Sequence, residues 1–259
     1  MRDPIPGIEA GAATHIGKVR QHNEDHYILA TPRGFWAVAD GMGGHEAGDV
    51  ASQVVIEELD AIVTSSTAAE LLASCEASMV VANSRLQKLS DERSGALIGT
   101  TVAVLLAFDA FYAGVWSGDS RIYRIRRSQI EQITLDHSEL QEFVSEGKLN
   151  AEEARAWPRK NVITRAIGVR ENPELEMKSG TLEPGDIFIL CTDGLTAHVE
   201  DSEILELASR HHPQEACDLL VALTLERGAV DNVTVAAVQF NSIAPRTASA
   251  TSVGADVWE

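Results

Sequence analysis

The chain has no Cys-x-x-Cys pair and no even set of cysteines. Its three, Cys75, Cys191 and Cys217, stand far apart. A disulfide framework is therefore excluded, and with no apolar leader after Met1-Arg2-Asp3-Pro4 the expected setting is a reducing cytoplasm. Long apolar runs are missing as well: the best, Val102 to Phe108, has the length of a strand, so a soluble protein with no membrane partner is expected. Basic residues are scarce, with 21 Lys and Arg against 39 Asp and Glu and a formal net charge of −18, which argues against sequence-independent binding to nucleic acid or anionic lipid. There are no heptads to support a coiled coil, and no internal repeat. His22 and His26 share a helical spacing but lack the Glu of a His-Glu-x-x-His motif and a third nearby histidine, which disfavours zinc. What remains is 259 residues with an ordinary 44% of hydrophobic residues, enough for one sizeable core.

Against this background five acidic signals stand out: Arg20-Gln21-His22-Asn23-Glu24-Asp25, Asp40-Gly41-Met42-Gly43-Gly44, Gly118-Asp119-Ser120-Arg121, Thr192-Asp193-Gly194 and Asp231-Asn232-Val233-Thr234. Most of their aspartates adjoin an apolar run. Asp40 follows Phe35 to Ala39, Asp119 follows Ala113 to Gly118, Asp193 follows Ile187 to Thr192, and Asp231 precedes Val233 to Val238. Such runs, rich in β-branched and aromatic residues, predict buried strands. Carboxylates at the ends of several core strands can converge on one rim, where mutual repulsion raises their pKa unless cations share the site. Hard oxygen donors of this kind favour Mg or Mn over zinc.

Apolar positions after Gly44 (Val50, Val54, Val55, Leu59, Ile62, then Leu71, Leu72, Cys75, Met79, Ala82, Leu86, Leu89) predict two long helices. Thr100 to Thr134 carries four short strand-like runs that predict an antiparallel meander. Asp136 to Trp157 reads as polar and helical. Glu183-Pro184-Gly185-Asp186 marks a turn into the strand before Asp193, helices start near Ser202 and Pro213, and a last strand ends near Phe240. Ser242 to Glu259, rich in Ser, Ala and Thr without a period, is expected to be a flexible tail.

The set and order of these motifs resemble the metal-dependent protein phosphatases of the protein phosphatase 2C type, in their compact bacterial form, from about Thr14 to Phe240. Taken singly, each motif is a common turn; five in this order is specific. The resemblance implies an α/β (α+β) fold, a four-layer αββα sandwich of two antiparallel β-sheets flanked by helices. It places a catalytic domain over residues 1–241, with a variable flap at about 136–168 beside the active site and the tail at 242–259. It implies a serine/threonine protein phosphatase in which a metal-bridging hydroxide attacks phosphorus, so no Cys or Ser nucleophile is assigned. Asp40, the Gly41 carbonyl, Asp193 and Asp231 would hold two Mn or Mg ions, Glu24 and Asp25 would hold metal-bound water, and Asp119 with Asp193 would hold a third, weaker ion. Arg20 would bind substrate phosphate, a task suited to its planar fork. Phosphorylated Ser/Thr proteins and a cognate Ser/Thr protein kinase are the partners so implied.

Met42 departs from relatives that carry a histidine, the proposed general acid, at the middle of the Asp-Gly-x-Gly-Gly turn. Methionine cannot donate a proton, so a metal-bound water comes first, with His45 or His22 behind it. Gly99-Thr100-Thr101 reads as a strand start, Arg121, Arg124, Arg126 and Arg127 as a solvated face, and Cys75 and Cys191 as core. Arg155, Arg159, Lys160 and Arg165 of the flap could meet an anionic substrate or simply face solvent. Two other functions stay open: a catalytically idle scaffold that binds phosphoproteins, and a metal-dependent phosphoesterase acting on small molecules.

Overall fold

The computed structural model describes residues 7–43, 47–155, 157–159, 162–242 and 257–258. In chain order it runs β1 (Ile8–His15), β2 (Asp25–Ala30), β3 (Phe35–Gly43), α1 (Ala47–Asp60), α2 (Ala68–Glu92), β4 (Ile98–Thr100), β5 (Val102–Phe108), β6 (Phe111–Ser117), β7 (Arg121–Arg126), β8 (Gln129–Gln132), α3 (Glu139–Ser145), α4 (Ala151–Arg155), β9 (Glu176–Thr181), β10 (Asp186–Cys191), α5 (Asp193–Thr196), α6 (Asp201–Arg210), α7 (Pro213–Glu226) and β11 (Val233–Phe240). Two antiparallel sheets result, one ordered β1-β11-β10-β7-β8 and the other β2-β3-β5-β6-β9, with β4 paired to β3.

The strand alternation explains the layering. Trp36 and Val38 of β3 point into the space between the sheets with Ala103, Leu105, Phe188, Leu190, Ala236 and Val238. Phe35, Ala37 and Ala39 point the other way, onto Ala51, Val55 and Leu59 of α1 and Leu71, Cys75 and Met79 of α2. On the far side, Ile187, Ile189, Val235 and Ala237 meet Ile204 and Ala208 of α6 and Leu220 and Val221 of α7. A strand buried on both faces reads as a continuous apolar run, which is how β3, β5, β6, β10 and β11 appear in the sequence. The four-layer αββα sandwich expected from the motifs is the fold observed.

The meander expected over Thr100 to Thr134 is corrected. β5 and β6 pair in one sheet, while β7 and β8 lie in the other. The chain crosses between sheets at Gly118, whose φ of +109° favours glycine and where a Cβ would lie 2.6 Å from the Thr101 side chain. The helical stretch read over Asp136 to Trp157 is two short helices, α3 and α4, and β9 carries no apolar run that would have announced it.

Of the expected tail, residues 243–256 and 259 lie outside the described residues. Trp258 departs from the expectation: it is 3% exposed and packs in the core beneath α1 and α2, with Val257 against the same cluster. Two apolar residues in a polar stretch have no period, so periodicity could not have found this anchor. Among the described residues no helix is long and apolar enough to cross a membrane.

Candidate active site

Both sheets end at one rim, and each delivers acids to it. Asp25 opens β2 and pairs directly across the ladder with Asp40 of β3, an arrangement in which like charges are destabilising. Asp119 follows β6 past the Gly118 crossing. From the other sheet, Asp193 follows β10 as the first residue of α5, and Asp231 lies two residues before β11. Arg20, Glu24, Asp40, Gly41, Met42, Asp119, Asp193 and Asp231 all line one pocket of about 290 Å³. Asp25 lies beneath it, 4% exposed. Of the candidate residues, Arg20, Glu24, Asp40, Gly41, Asp119, Asp193 and Asp231 thus line one pocket, and Asp25 faces Asp40 across the β2–β3 ladder.

Backbone and hydroxyl contacts hold these carboxylates in position. Thr101 donates its N–H to the Asp40 carbonyl (2.8 Å), its Oγ1 accepts from the Asp40 N–H (3.1 Å), and Thr100 Oγ1 adds a second bond to that carbonyl (2.9 Å). Gly99-Thr100-Thr101 is therefore more than a strand start: its two threonines clamp the Asp40 peptide. Gly41 N–H donates to the Glu24 carbonyl at 3.0 Å. A Cβ on Gly41 would sit 1.9 Å from the Gly48 carbonyl oxygen of α1, so the helix can approach only glycine here. Ser52 of α1 donates to the same Glu24 carbonyl at 2.5 Å, and His26 Nδ1 lies 3.0 Å from the Ser52 hydroxyl, which gives His26 a packing role as expected.

Asn232, read in sequence only as part of an Asx turn, joins three segments of the site. Its Oδ1 accepts from the Glu24 N–H at 2.8 Å, and its Nδ2 donates to the carbonyls of Ile16 (2.8 Å) and His22 (2.9 Å). One amide thus fixes the Arg20 to Asp25 loop against the start of β11. Thr192 was missed in the same way: its Oγ1 donates to Asp25 Oδ2 (2.9 Å) and accepts from the Thr234 N–H (3.0 Å).

The electrostatics are those of a cation site. Burial, which side-chain hydrogen bonds only partly offset, pushes Asp25 up to about 7. Burial followed by the charge of Asp193 pushes Asp119 up to about 8, and burial followed by Asp231 pushes Asp193 up to about 6. Asp40 is raised well above the usual carboxylate range by burial and then by Asp25, Asp193, Asp119 and Asp231. Burial also raises Glu24. Buried Asp25 Oδ1 has no partner among the described residues, an acceptor left for a water or cation.

Residues and group fit: the donors are hard oxygens, burial and then mutual charge raise Asp40, Asp119 and Asp193, and Gly41 lines the same pocket. Among the described residues no three His, Cys, Asp or Glu side chains are gathered closely enough to enclose an ion as they stand. Arg20 Nη2 lies 2.6 Å from Asp231 Oδ2, and this hydrogen bond raises the Arg20 pKa.

The basic run is not a free solvated face. Arg121 grips Asp136, Arg124 meets Glu131, Arg126 holds the fully buried Asp186 through two 2.6 Å bonds, and Arg127 pairs with Glu183. In the flap, Arg159 pairs with Glu139 and Arg165 with Glu176, while Lys160 and the Arg155 side chain lie outside the described residues. His22 is exposed, His45 lies outside the described residues, and no histidine is among the residues lining the pocket. Cys75 and Cys191 are buried free thiols whose pKa burial pushes up to about 12, as core positions should be.

Two sheets bring clustered aspartates and one arginine to one pocket, a set of side chains able to hold divalent ions beside a phosphate. A sequence model described as protein phosphatase 2C matches residues 13–226. Protein phosphatase PhpP of Streptococcus pneumoniae is 34% identical over 243 residues, covering 90% of this chain and 98% of that protein. The serine/threonine phosphatase PstP/Ppp of Mycobacterium tuberculosis superposes with a TM-score of 0.85 at 33% identity, covering 91% of this chain and 99% of that one. The catalytic domain of a serine/threonine protein phosphatase PstP, solved in complex with two manganese ions, gives 0.76 at 34% identity over 90% of this chain and 97% of that one. The chain belongs to the protein phosphatase 2C family.

Proposed function

We propose that this protein hydrolyses phosphoserine and phosphothreonine in proteins, and that residues 1–241 contain the catalytic domain. The observation that carries the reading is the convergence of Asp40, Asp119, Asp193 and Asp231 around one pocket with Arg20 at its edge. Asp40, the Gly41 carbonyl, Asp193 and Asp231 would hold two Mn or Mg ions, with Glu24 and Asp25 holding coordinated water. Asp119 and Asp193 also border a second hollow lined by Arg121, Asp136 and Ser138, which supports giving that pair a third, weaker ion. Two such ions, when bound, lower the pKa of a water between them so that hydroxide is available near neutral pH for in-line attack on phosphorus.

The chain's own residues do the rest. Arg20, half exposed at the rim, turns its fork from Asp231 to the phosphoryl oxygens, orients them and offsets the charge that builds in the transition state. Asp25, held through one oxygen by Thr192, offers the other to orient a water. With Met42 at the turn, the leaving oxygen takes its proton from water. Phosphoproteins made by a cognate Ser/Thr kinase are the substrates this reading implies.

The test compares Mn-dependent phosphate release from a phosphothreonine peptide with release from a nucleotide. Preference for the peptide supports the proposal, preference for the nucleotide favours a small-molecule phosphoesterase, and peptide binding without release favours an idle scaffold. The scaffold reading predicts a missing carboxylate, and the sequence carries Asp40, Asp119, Asp193 and Asp231.

A further inference from the structure

His137 does not line the phosphate pocket, yet it joins the Asp119 turn to the flap. It is 5% exposed and stacks on Trp116 with ring centroids 6.0 Å apart. Its Nδ1 accepts the N–H of Gly118 at 3.1 Å, and its own N–H donates to the Gly118 carbonyl at 2.9 Å. Both polar backbone groups of the residue before Asp119 are thus bound by one histidine. The His137 carbonyl accepts from Thr164 N–H at 2.8 Å, where the flap returns beside Ile163, itself a pocket residue. Nε2 lies 3.4 Å from Glu176 Oε1, within the Arg165–Glu176 ion pair. Burial, then the positive charge of Arg165, lowers the proton affinity of the ring and leaves Nδ1 free to accept.

We propose that His137 is a positioning residue for the reaction: through Nδ1 it fixes the Gly118 peptide, so that the Asp119 carboxylate is aimed toward Asp193 and its placement is tied to that of the flap. Gly118 is where the chain crosses between sheets at positive φ, and its buried N–H needs an acceptor to keep the turn in register. The inference rests on the reading above that Asp119 serves turnover.

Side-chain geometry supplies the test. Asparagine places an amide oxygen where Nδ1 stands, glutamine places its amide where Nε2 stands, and leucine offers no acceptor. His137→Asn should keep the Gly118 amide protected from hydrogen exchange in the chelated protein and keep most of kcat. His137→Gln and His137→Leu should expose that amide and lower kcat about tenfold or more, the usual scale for residues that orient ligands. KM for the peptide and calorimetric binding of two tight Mn ions should be unchanged in all three. Asp119→Ala, run beside them, should show the same fall in kcat without exposing the amide. Equal losses in the Asn and Gln variants that follow their melting temperatures would mean that His137 only fills space, and wild-type kcat in the Gln variant would likewise overturn the proposal. An unchanged Asp119→Ala rate would instead remove the role of Asp119 beneath it.

Discussion

Stripping the divalent ions with a chelator and raising the pH should destabilise this protein in a way that manganese reverses. In the folded state Asp25, Asp119 and Asp193 are pushed up to about 7, 8 and 6, chiefly by burial, and Asp40 is raised further by all of its neighbours. Each acid therefore holds its proton more tightly folded than unfolded. The stability this lends is fully present below the unfolded value near 3.8 and is lost as pH rises through the folded value, so the chelated protein should weaken between about pH 4 and 8. Raising Asp25 from 3.8 to about 7 corresponds to about 4 kcal/mol. Because each carboxylate raises the others, one ionisation changes the rest, and about 4 kcal/mol serves as the scale for the set. At roughly 2–4 °C per kcal/mol for a chain of this size, the melting temperature should fall by about 10 °C.

Thermal melts at pH 5, 6.5 and 8, with chelator or with saturating Mn, would measure this. The gain from Mn should widen with pH, because the ion replaces protons that the cluster otherwise keeps. Asp40→Asn provides the control, since it removes one raised acid and should flatten the chelated slope while the rest of the acidic surface is unchanged. A chelated melting temperature that is flat or rising from pH 5 to 8, or a Mn increment independent of pH, would refute the reasoning.

Three further outcomes are expected. Asp40→Asn should lower turnover roughly a hundredfold or more, with protein folded, because it removes charge where the transition state needs its ions; near-normal kcat at saturating Mn would sink the proposed centre. Arg20→Ala should lower kcat/KM by about 2 kcal/mol or more and Arg20→Lys should restore only part of it, since lysine lacks the planar fork; full activity of the Lys variant would reduce Arg20 to a generic charge. Trp258→Ala should cost about 3 kcal/mol for emptying a buried site, measured by denaturant melts, whereas Trp258→Phe should cost much less because the buried Trp258 Nε1 has no hydrogen-bond partner among the described residues; an Ala variant as stable as wild type would mean the indole is not anchored.

The site was more legible than its supports. Asp40, Asp119, Asp193 and Asp231 could be read because each breaks an apolar run, and a charge at the end of a core strand is conspicuous against its neighbours. Asn232, Thr192, Thr100 and Ser52 act through side-chain hydrogen bonds to residues distant in sequence, and nothing local distinguishes them from turn or strand residues. His137 is hidden for the same reason: its partners at Gly118 and Thr164 lie 19 and 27 positions away. The two sheets were visible as strands but not as pairings, since β6 and β7 follow one another across a short turn and the Gly118 crossing puts them in different sheets. The basic run misled because its partners lie in segments read for other features, Glu183 and Asp186 for a turn and Asp136 for a helix start.

Charge also explains how so acidic a chain can accept an anion. Glu24, Asp40, Asp119, Asp193 and Asp231 line the pocket with Arg20, and Asp25 lies beneath. When ionised, six carboxylates against one guanidinium leave five negative charges, which would repel a phosphate dianion at short range. Two divalent ions reduce that to a single negative charge, so a centre with only two remains unfavourable to the substrate. The third divalent ion proposed at Asp119 and Asp193 would make the pocket positive by one. On that proposal the placement of Asp119 would matter to turnover more than to the standing stability of the centre.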